Sequence, residues 1–426
     1  MPKHKKVILS NKMPVILVPL PGAKTTTALV MVRTGSKYES KKESGLSHFL
    51  EHMFFKGTKR RPDTFTLTAE LDALGGEYNA FTSKEYTGFY VKAVAGKLAA
   101  CLDILGDMLS SSKFEEAEVE REKRVVIEEL KMCQDDPKIL LEDVLEGCLY
   151  GDTPAGWDVG GTKNSVRGLK RNDIVGYFKR QYGANSMVVI LAGAVKESDR
   201  TMIARTFSSF PSNPWKDKVA VVEKQSQPKA KIVKKDLDQI NLSLAVRTFP
   251  AEHPMELALK VMGVILGGSM SSRLFISLRE RSGLAYHVYT RTEHYTDSGY
   301  LATTAGVPKG KTGAAIAIIM QEYQRIMNEE VPASELERAK DLLSGHMVMH
   351  QESSDDVASW YGQQAMIKNK LIDPEEQEKR LRAVTSADIR RAALAVMKDA
   401  NLNLAVIGQI KKEEEASIKK VLRFNA

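Results

Sequence analysis

Two histidines and a glutamate stand within five residues of SGLSHFLEHMFFKGT (Ser44–Thr58): His48, Glu51 and His52. Leu46, Leu50 and Met53 recur at helical spacing, which predicts a helix over 44–55 that closes near Gly57. Histidines four apart on a helix lie one above the other on a single face. Two such imidazoles can present nitrogens to one metal ion, and zinc accepts them when one more protein ligand and a water complete the set. The metal lowers the pKa of that water. Glu51, beside the pair, is then placed to take its proton. The competing interpretation is a surface helix with two solvated histidines. Phe49, Leu50, Met53, Phe54 and Phe55 argue for partial burial instead, and burying three titratable groups without a partner is costly.

The third ligand has to come from another element. Residues 115–133, EEAEVEREKRVVIEELKMC, predict a long helix with an apolar stripe of Val119, Val126, Leu130 and Cys133. Glu122 and Glu129 fall together on the margin of that stripe, two turns apart, while Glu128 falls on the solvent side. Geometry thus selects Glu129 or Glu122. A second histidine pair, His346 and His350, is also four apart, but no glutamate stands between them and Met347 and Met349 are poor partners for zinc. That pair reads as incidental.

The rest of the chain must hold these residues in place. Its 426 residues suffice for two domains. Segments recur at an offset of 214–216 residues: ALVMVRT at 28 and LSLAVRT at 242, Asp173-Ile174 and Asp388-Ile389, Asn185-SMVVILAG and Asn401-LNLAVIG. The repeat predicts two copies of one α+β unit, each a mostly antiparallel sheet packed with helices. The expected boundaries are 1–209 for a catalytic domain, 210–231 for a linker rich in Pro, Lys and Gln, and 232–426 for the second copy. Residues 14–34 predict a hairpin turning at Pro21-Gly22, residues 64–74 a helix, 77–94 two strands, and 97–111 and the stretch after 137 further helices.

No apolar run reaches the ~18 residues that span a bilayer, so no membrane association is expected. The basic start, MPKHKKVILSNK, reads as a tail entering a strand. Cys101, Cys133 and Cys148 form no CxxC, which fits a reducing cytoplasm. The net charge of +8 is spread thinly, and the densest basic group, Lys56 to Arg61, has no interleaved aromatics. Nucleic-acid binding is not expected.

HFLEH matches HxxEH, the inverted zinc motif in which the glutamate is the base. With it, the chain resembles the M16 (pitrilysin) metallopeptidases, in particular the half-length branch that contains mitochondrial processing peptidase. The resemblance covers most of the chain. It implies one zinc per chain, held by His48, His52 and Glu129, with Glu51 as catalytic base and Glu122 supporting the site. GGEYNAFTSKE (75–85) resembles the segment whose Asn79, Ala80 and Phe81 would line the cleft and hold a peptide as an added strand. SSRLFISLRERSGLAYHVY (271–289) resembles the second-half segment in which Arg279 and Tyr286 would steady the substrate and the oxyanion. Of the two acids that read an upstream arginine in the processing peptidase, Asp143 has a counterpart, whereas Ile139 occupies the other position. DTPAGWDVGGT (152–162) departs from the family wording. The second repeat holds Met262–Leu266 where the first has HFLEH, and so lacks the ligands. The implied activity is zinc-dependent hydrolysis of peptides or unfolded segments inside a closed chamber, by a homodimer with shared active sites. A subunit of a hetero-oligomeric processing peptidase and a non-catalytic scaffold are the alternatives.

Overall fold

The computed structural model describes residues 3–424; Met1 and Pro2 of the basic tail, and Asn425 and Ala426, lie outside the described residues. The chain forms two compact units. The first comprises 1–131, 157–219 and 347–376, and the second 132–156, 220–346 and 377–426.

The first unit is built on a six-stranded sheet: β1 (Lys5–Ile8), β2 (Pro14–Pro19), β3 (Thr25–Val32), β4 (Glu77–Thr82), β5 (Thr87–Val94) and β6 (Met187–Gly193). Their order is β1-β2-β6-β3-β5-β4. The second holds β7 (Lys229–Val233), β8 (Gln239–Thr248), β9 (His287–His294), β10 (Gly299–Pro308) and β11 (Leu402–Ile407), in the order β7-β11-β8-β10-β9. Removing β1 makes the two orders the same, with β3 matching β8 and β6 matching β11, as the repeat at 214–216 residues requires. Each sheet is antiparallel except at one pair, β2 with β6 and β7 with β11. The α+β class expected from the sequence holds.

One local expectation fails. Residues 14–34 do not form a hairpin, because β6 enters between β2 and β3, parallel to the first and antiparallel to the second. The close antiparallel partner of β2 is β1, and Lys12 takes a positive φ of 68° in the turn between them.

One face of the first sheet packs on α1 (Leu46–Met53), α2 (Thr64–Asp72), α3 (Leu98–Ser111) and α4 (Glu116–Asp135) through a core that includes Leu50, Met53, Leu102 and Val126. The other face is covered by the helix Ser354–Ile367, whose Val357, Ala358, Tyr361 and Met366 meet Ile16, Leu29, Met31 and Ile190. Gly362 allows that approach: a Cβ there would lie 3.0 Å from Leu29. In the second unit, α5 (Pro137–Tyr150) covers the corresponding face, with Leu141, Leu145 and Leu149 against Ala245, Ala302 and Ala405. Each unit thus takes one helix from the opposite half of the chain. Strands covered on both faces must be apolar at every position, and all seven residues of β6 are buried.

Candidate metal centre

The motif helix α1 starts at Gly45, which adopts φ 90° and presses within van der Waals reach of Gly160; a Cβ at Gly45 would lie 2.4 Å from the Gly160 carbonyl oxygen. Gly45 has no side chain to cap the helix. The cap comes from Glu39, whose carboxylate accepts the backbone N–H groups of Gly45 (2.8 Å) and Ser47 (2.7 Å). These are orphan donors of the first turn, where negative charge is favoured. Burial nonetheless outweighs those bonds and pushes the Glu39 carboxyl up to about 8. Ser47 Oγ shares a hydrogen bond of 2.7 Å with the Tyr177 hydroxyl, which fixes the helix start against Arg171–Gln181. Leu46, Phe49, Leu50 and Met53 are buried. The opposite face carries His48, Glu51 and His52.

His48 Nε2 and His52 Nε2 stand 3.3 Å apart. Glu129 Oε2, from α4, lies 3.7 Å from the first and 3.4 Å from the second. Among the described residues, these three form the one group of His, Cys, Asp or Glu that could hold a metal ion. His346 and His350 are not part of such a group; His350 is exposed and 3.2 Å from Asp356. On α4, Glu128 points away and pairs with Lys131 at 2.7 Å. Glu122 is buried, accepts from His52 Nδ1 at 2.8 Å and pairs with Lys56 at 2.6 Å. That bond sets the His52 ring so that Nε2 faces the cluster.

The spacing suits a zinc ion. Bonds of about 2.0–2.2 Å in a tetrahedral site place neighbouring ligand atoms about 3.3–3.6 Å apart, close to the distances found. Two imidazole nitrogens and a carboxylate oxygen are a donor set that zinc accepts. The electrostatics also call for a cation. Burial, with the charge of His52, pushes His48 down to about 4. Burial opposes protonation of His52 as well, but hydrogen bonds to Glu122 and Glu129, with their charges, raise it to about 9. The hydrogen bond from His52 lowers Glu129.

Glu51 is raised by burial, against a hydrogen bond from Thr82 Oγ1. Thr82 ends β4, the open edge of the sheet. Asn79 is exposed on that strand, Ala80 buried and Phe81 half-buried. The Ala80 N–H is not used in the ladder with β5; it donates to Asn79 Oδ1 at 2.9 Å. Gly160 and Gly161 bring the divergent 152–162 loop against this site. A Cβ on Gly160 would lie 3.7 Å from His48 Nδ1, and one on Gly161 would lie 2.5 Å from the Ser44 carbonyl oxygen. Asp158 accepts the Gly160 N–H at 2.8 Å, and Lys84 donates to the Trp157 carbonyl.

Arg279 and Tyr286 belong to the second unit. Arg279 lies on a π-helical stretch, Phe275–Arg281, with its guanidinium 4.9 Å from the Phe275 ring centroid and 5.2 Å from that of Tyr286. Tyr286 is 74% exposed. At the Met262–Leu266 position of the second unit, the helix Glu256–Gly267 buries Met262, Ile265 and Leu266 and offers no ligand.

Residues 14–163 match the insulinase family, peptidase family M16, and residues 168–343 match the peptidase M16 inactive domain. A Bacillus subtilis protein described as the uncharacterized zinc protease YmxG is 32% identical over 372 residues, 87% of this chain and 90% of the relative. The chain belongs to the M16 peptidase family. Another relative of this M16 chain is the uncharacterized zinc protease SCO5738 of Streptomyces coelicolor, 27% identical over 97% of this chain and 91% of that one. A protease from Helicobacter pylori shares the fold, with a TM-score of 0.91, 24% identity and coverage of 96% of this chain and 100% of that one. So does a chain of Complex III2 from Candida albicans, with a TM-score of 0.84, 16% identity and coverage of 98% and 99%. Among the described residues of this M16 chain, no helix is long and apolar enough to cross a membrane.

Sequence reasoning missed Glu39, Thr82, Lys56 and the two loop glycines. Only Glu39 had a local signal: a helix opening at Gly45 needs its cap from elsewhere. The others meet the site through contacts distant in sequence.

Proposed function

We propose that this chain is a zinc-dependent endopeptidase acting on peptides or unfolded segments. The observation that carries the reading is the trio of His48 Nε2, His52 Nε2 and Glu129 Oε2 at 3.3–3.7 Å, with Glu51 on the same helix face. His48, His52 and Glu129 would hold the ion. When bound, zinc supplies Lewis acidity towards water and the scissile carbonyl. Glu51 takes the proton of the attacking water and delivers it to the leaving amine; its partly buried carboxyl, raised above the ordinary range, suits both tasks. Glu122 orients His52. The peptide lies along the β4 edge, bonded to its free backbone groups by way of Asn79, Ala80 and Phe81. Arg279 and Tyr286 steady the oxyanion that develops on the scissile carbonyl, within a closed chamber formed by a homodimer whose mates share each site. A complete ligand set with its base speaks against a non-catalytic scaffold.

Metal analysis with a mixed-peptide assay tests this. One zinc per chain, turnover abolished by a chelator and restored by zinc is the expected result. Undiminished turnover in chelator, with metal removal verified, would refute it.

A further inference from the structure

A cavity lies in the first unit, at the sheet edge formed by β1 and β2. Its volume is about 510 Å³, within the ~300–1,000 Å³ of small-molecule sites. Its floor is apolar: Ile16, Val188 and Met366 are buried there, beside the partly buried Leu371. Its rim is cationic. Lys6, Arg33, Lys368 and Lys370 all line it, and no Asp or Glu does. Neither Lys6 nor Lys370 has an ion-pair partner among the described residues.

The rim is built rather than incidental. Arg33 is held by a hydrogen bond from Nη2 to the Ala365 carbonyl at 3.3 Å. The turn carrying Lys368 and Lys370 is tied back to its helix, where the Ile372 N–H donates to Gln364 Oε1 at 2.9 Å and Trp360 Nε1 donates to the Ile372 carbonyl at 3.3 Å. Asp373 closes the arrangement: it lies 2.6 Å from His4 Nδ1 and accepts the Tyr361 hydroxyl at 2.7 Å. That carboxylate joins the start of β1, where His4 lines the cavity, to the turn.

Four cations around a partly apolar floor, with no acid lining the cavity, select a ligand with the opposite layout. We propose that this cavity binds a small organic anion, an oxyanion group on an apolar body. Arg33 offers a fork matched to phosphate or carboxylate, and the lysines add point charges. No Phe, Tyr or Trp lines the cavity; its one ring is the His4 imidazole, which packs 5.2 Å from the Tyr361 ring and pairs with Asp373. The proposal does not depend on the peptidase reading, and its test measures no peptide cleavage.

Titration calorimetry on the full chain, with 1-naphthyl phosphate, 1-naphthoate and inorganic phosphate as probes, decides the matter. A naphthyl anion should bind at least tenfold more tightly than inorganic phosphate, and whichever of the two binds tighter identifies the oxyanion. The double variant Lys6→Gln/Lys370→Gln should weaken that binding at least tenfold. Both lysines are exposed, so an unchanged melting temperature is expected and verifies the fold. Absence of binding, a preference for inorganic phosphate, or equal affinity in the variant would each overturn the proposal.

Discussion

His48 and His52 bring two nitrogen lone pairs within 3.3 Å of each other and set a carboxylate oxygen beside both. Without a shared positive charge that arrangement is repulsive, and the hydrogen bonds and charges of Glu122 and Glu129 push His52 up to about 9 against the effect of burial. Zinc binding would displace that proton, since imidazole ligates in its neutral form. The neighbouring glutamates on α4 separate these roles. Glu129→Gln should weaken zinc affinity about tenfold or more, whereas Glu128→Gln, whose side chain meets Lys131 in solvent, should leave it unchanged; metal competition with a chromogenic chelator reads both. A loss confined to the Glu128 variant would place the third ligand elsewhere. At this scale the sequence was highly legible. Residue spacing on one helix brought out the histidines and Glu51, and spacing on a second narrowed the partner to Glu129 or Glu122. Glu39 and Thr82 were not legible, since their contacts depend on how α1 meets the loop before it and the end of β4.

At the scale of elements, the proposed peptide path runs along β4. It is the open edge of its sheet, and its last residue bonds the proposed base. Ala80 is the position to test, because its N–H donates to Asn79 Oδ1 and not to β5. Ala80→Pro removes that donor and spares the ladder, since proline is tolerated on an edge. One lost hydrogen bond is worth about 0.5–1.5 kcal/mol, so KM should rise up to about tenfold with little change in kcat. An unchanged KM would mean that substrate does not pair at that residue. Elements were read unevenly from the sequence. Strong periodicity located α1, α3 and α4 to within a few residues. The hairpin pattern at 14–34 misleads because β6, more than 150 residues later, supplies the strand that separates β2 from β3; no local pattern carries that pairing. Equally hidden was the covering of each sheet by a helix from the other half, although β6, apolar throughout, bears its mark.

For the whole molecule, the repeat places the proposed ligands in one half and Arg279 with Tyr286 in the other. In a twofold dimer, the first half of one chain would meet the second half of its mate. Chains carrying Glu51→Gln and chains carrying Tyr286→Phe should each be nearly inactive. After subunit exchange about half the dimers are mixed, and each holds one site with Glu51 and Tyr286 both intact, so roughly a quarter of parental activity should return. No recovery, with exchange verified by mass, would rule out the shared site. The most direct test of the central claim needs only the Glu51→Gln chain, assayed for zinc content and peptide turnover together. The amide keeps the size of the side chain and leaves His48, His52 and Glu129 in place, but cannot accept the proton. Zinc should remain at one per chain while turnover falls roughly 10²–10⁴-fold. Turnover within tenfold of the parent, at equal zinc, would contradict the assignment of Glu51 as the base.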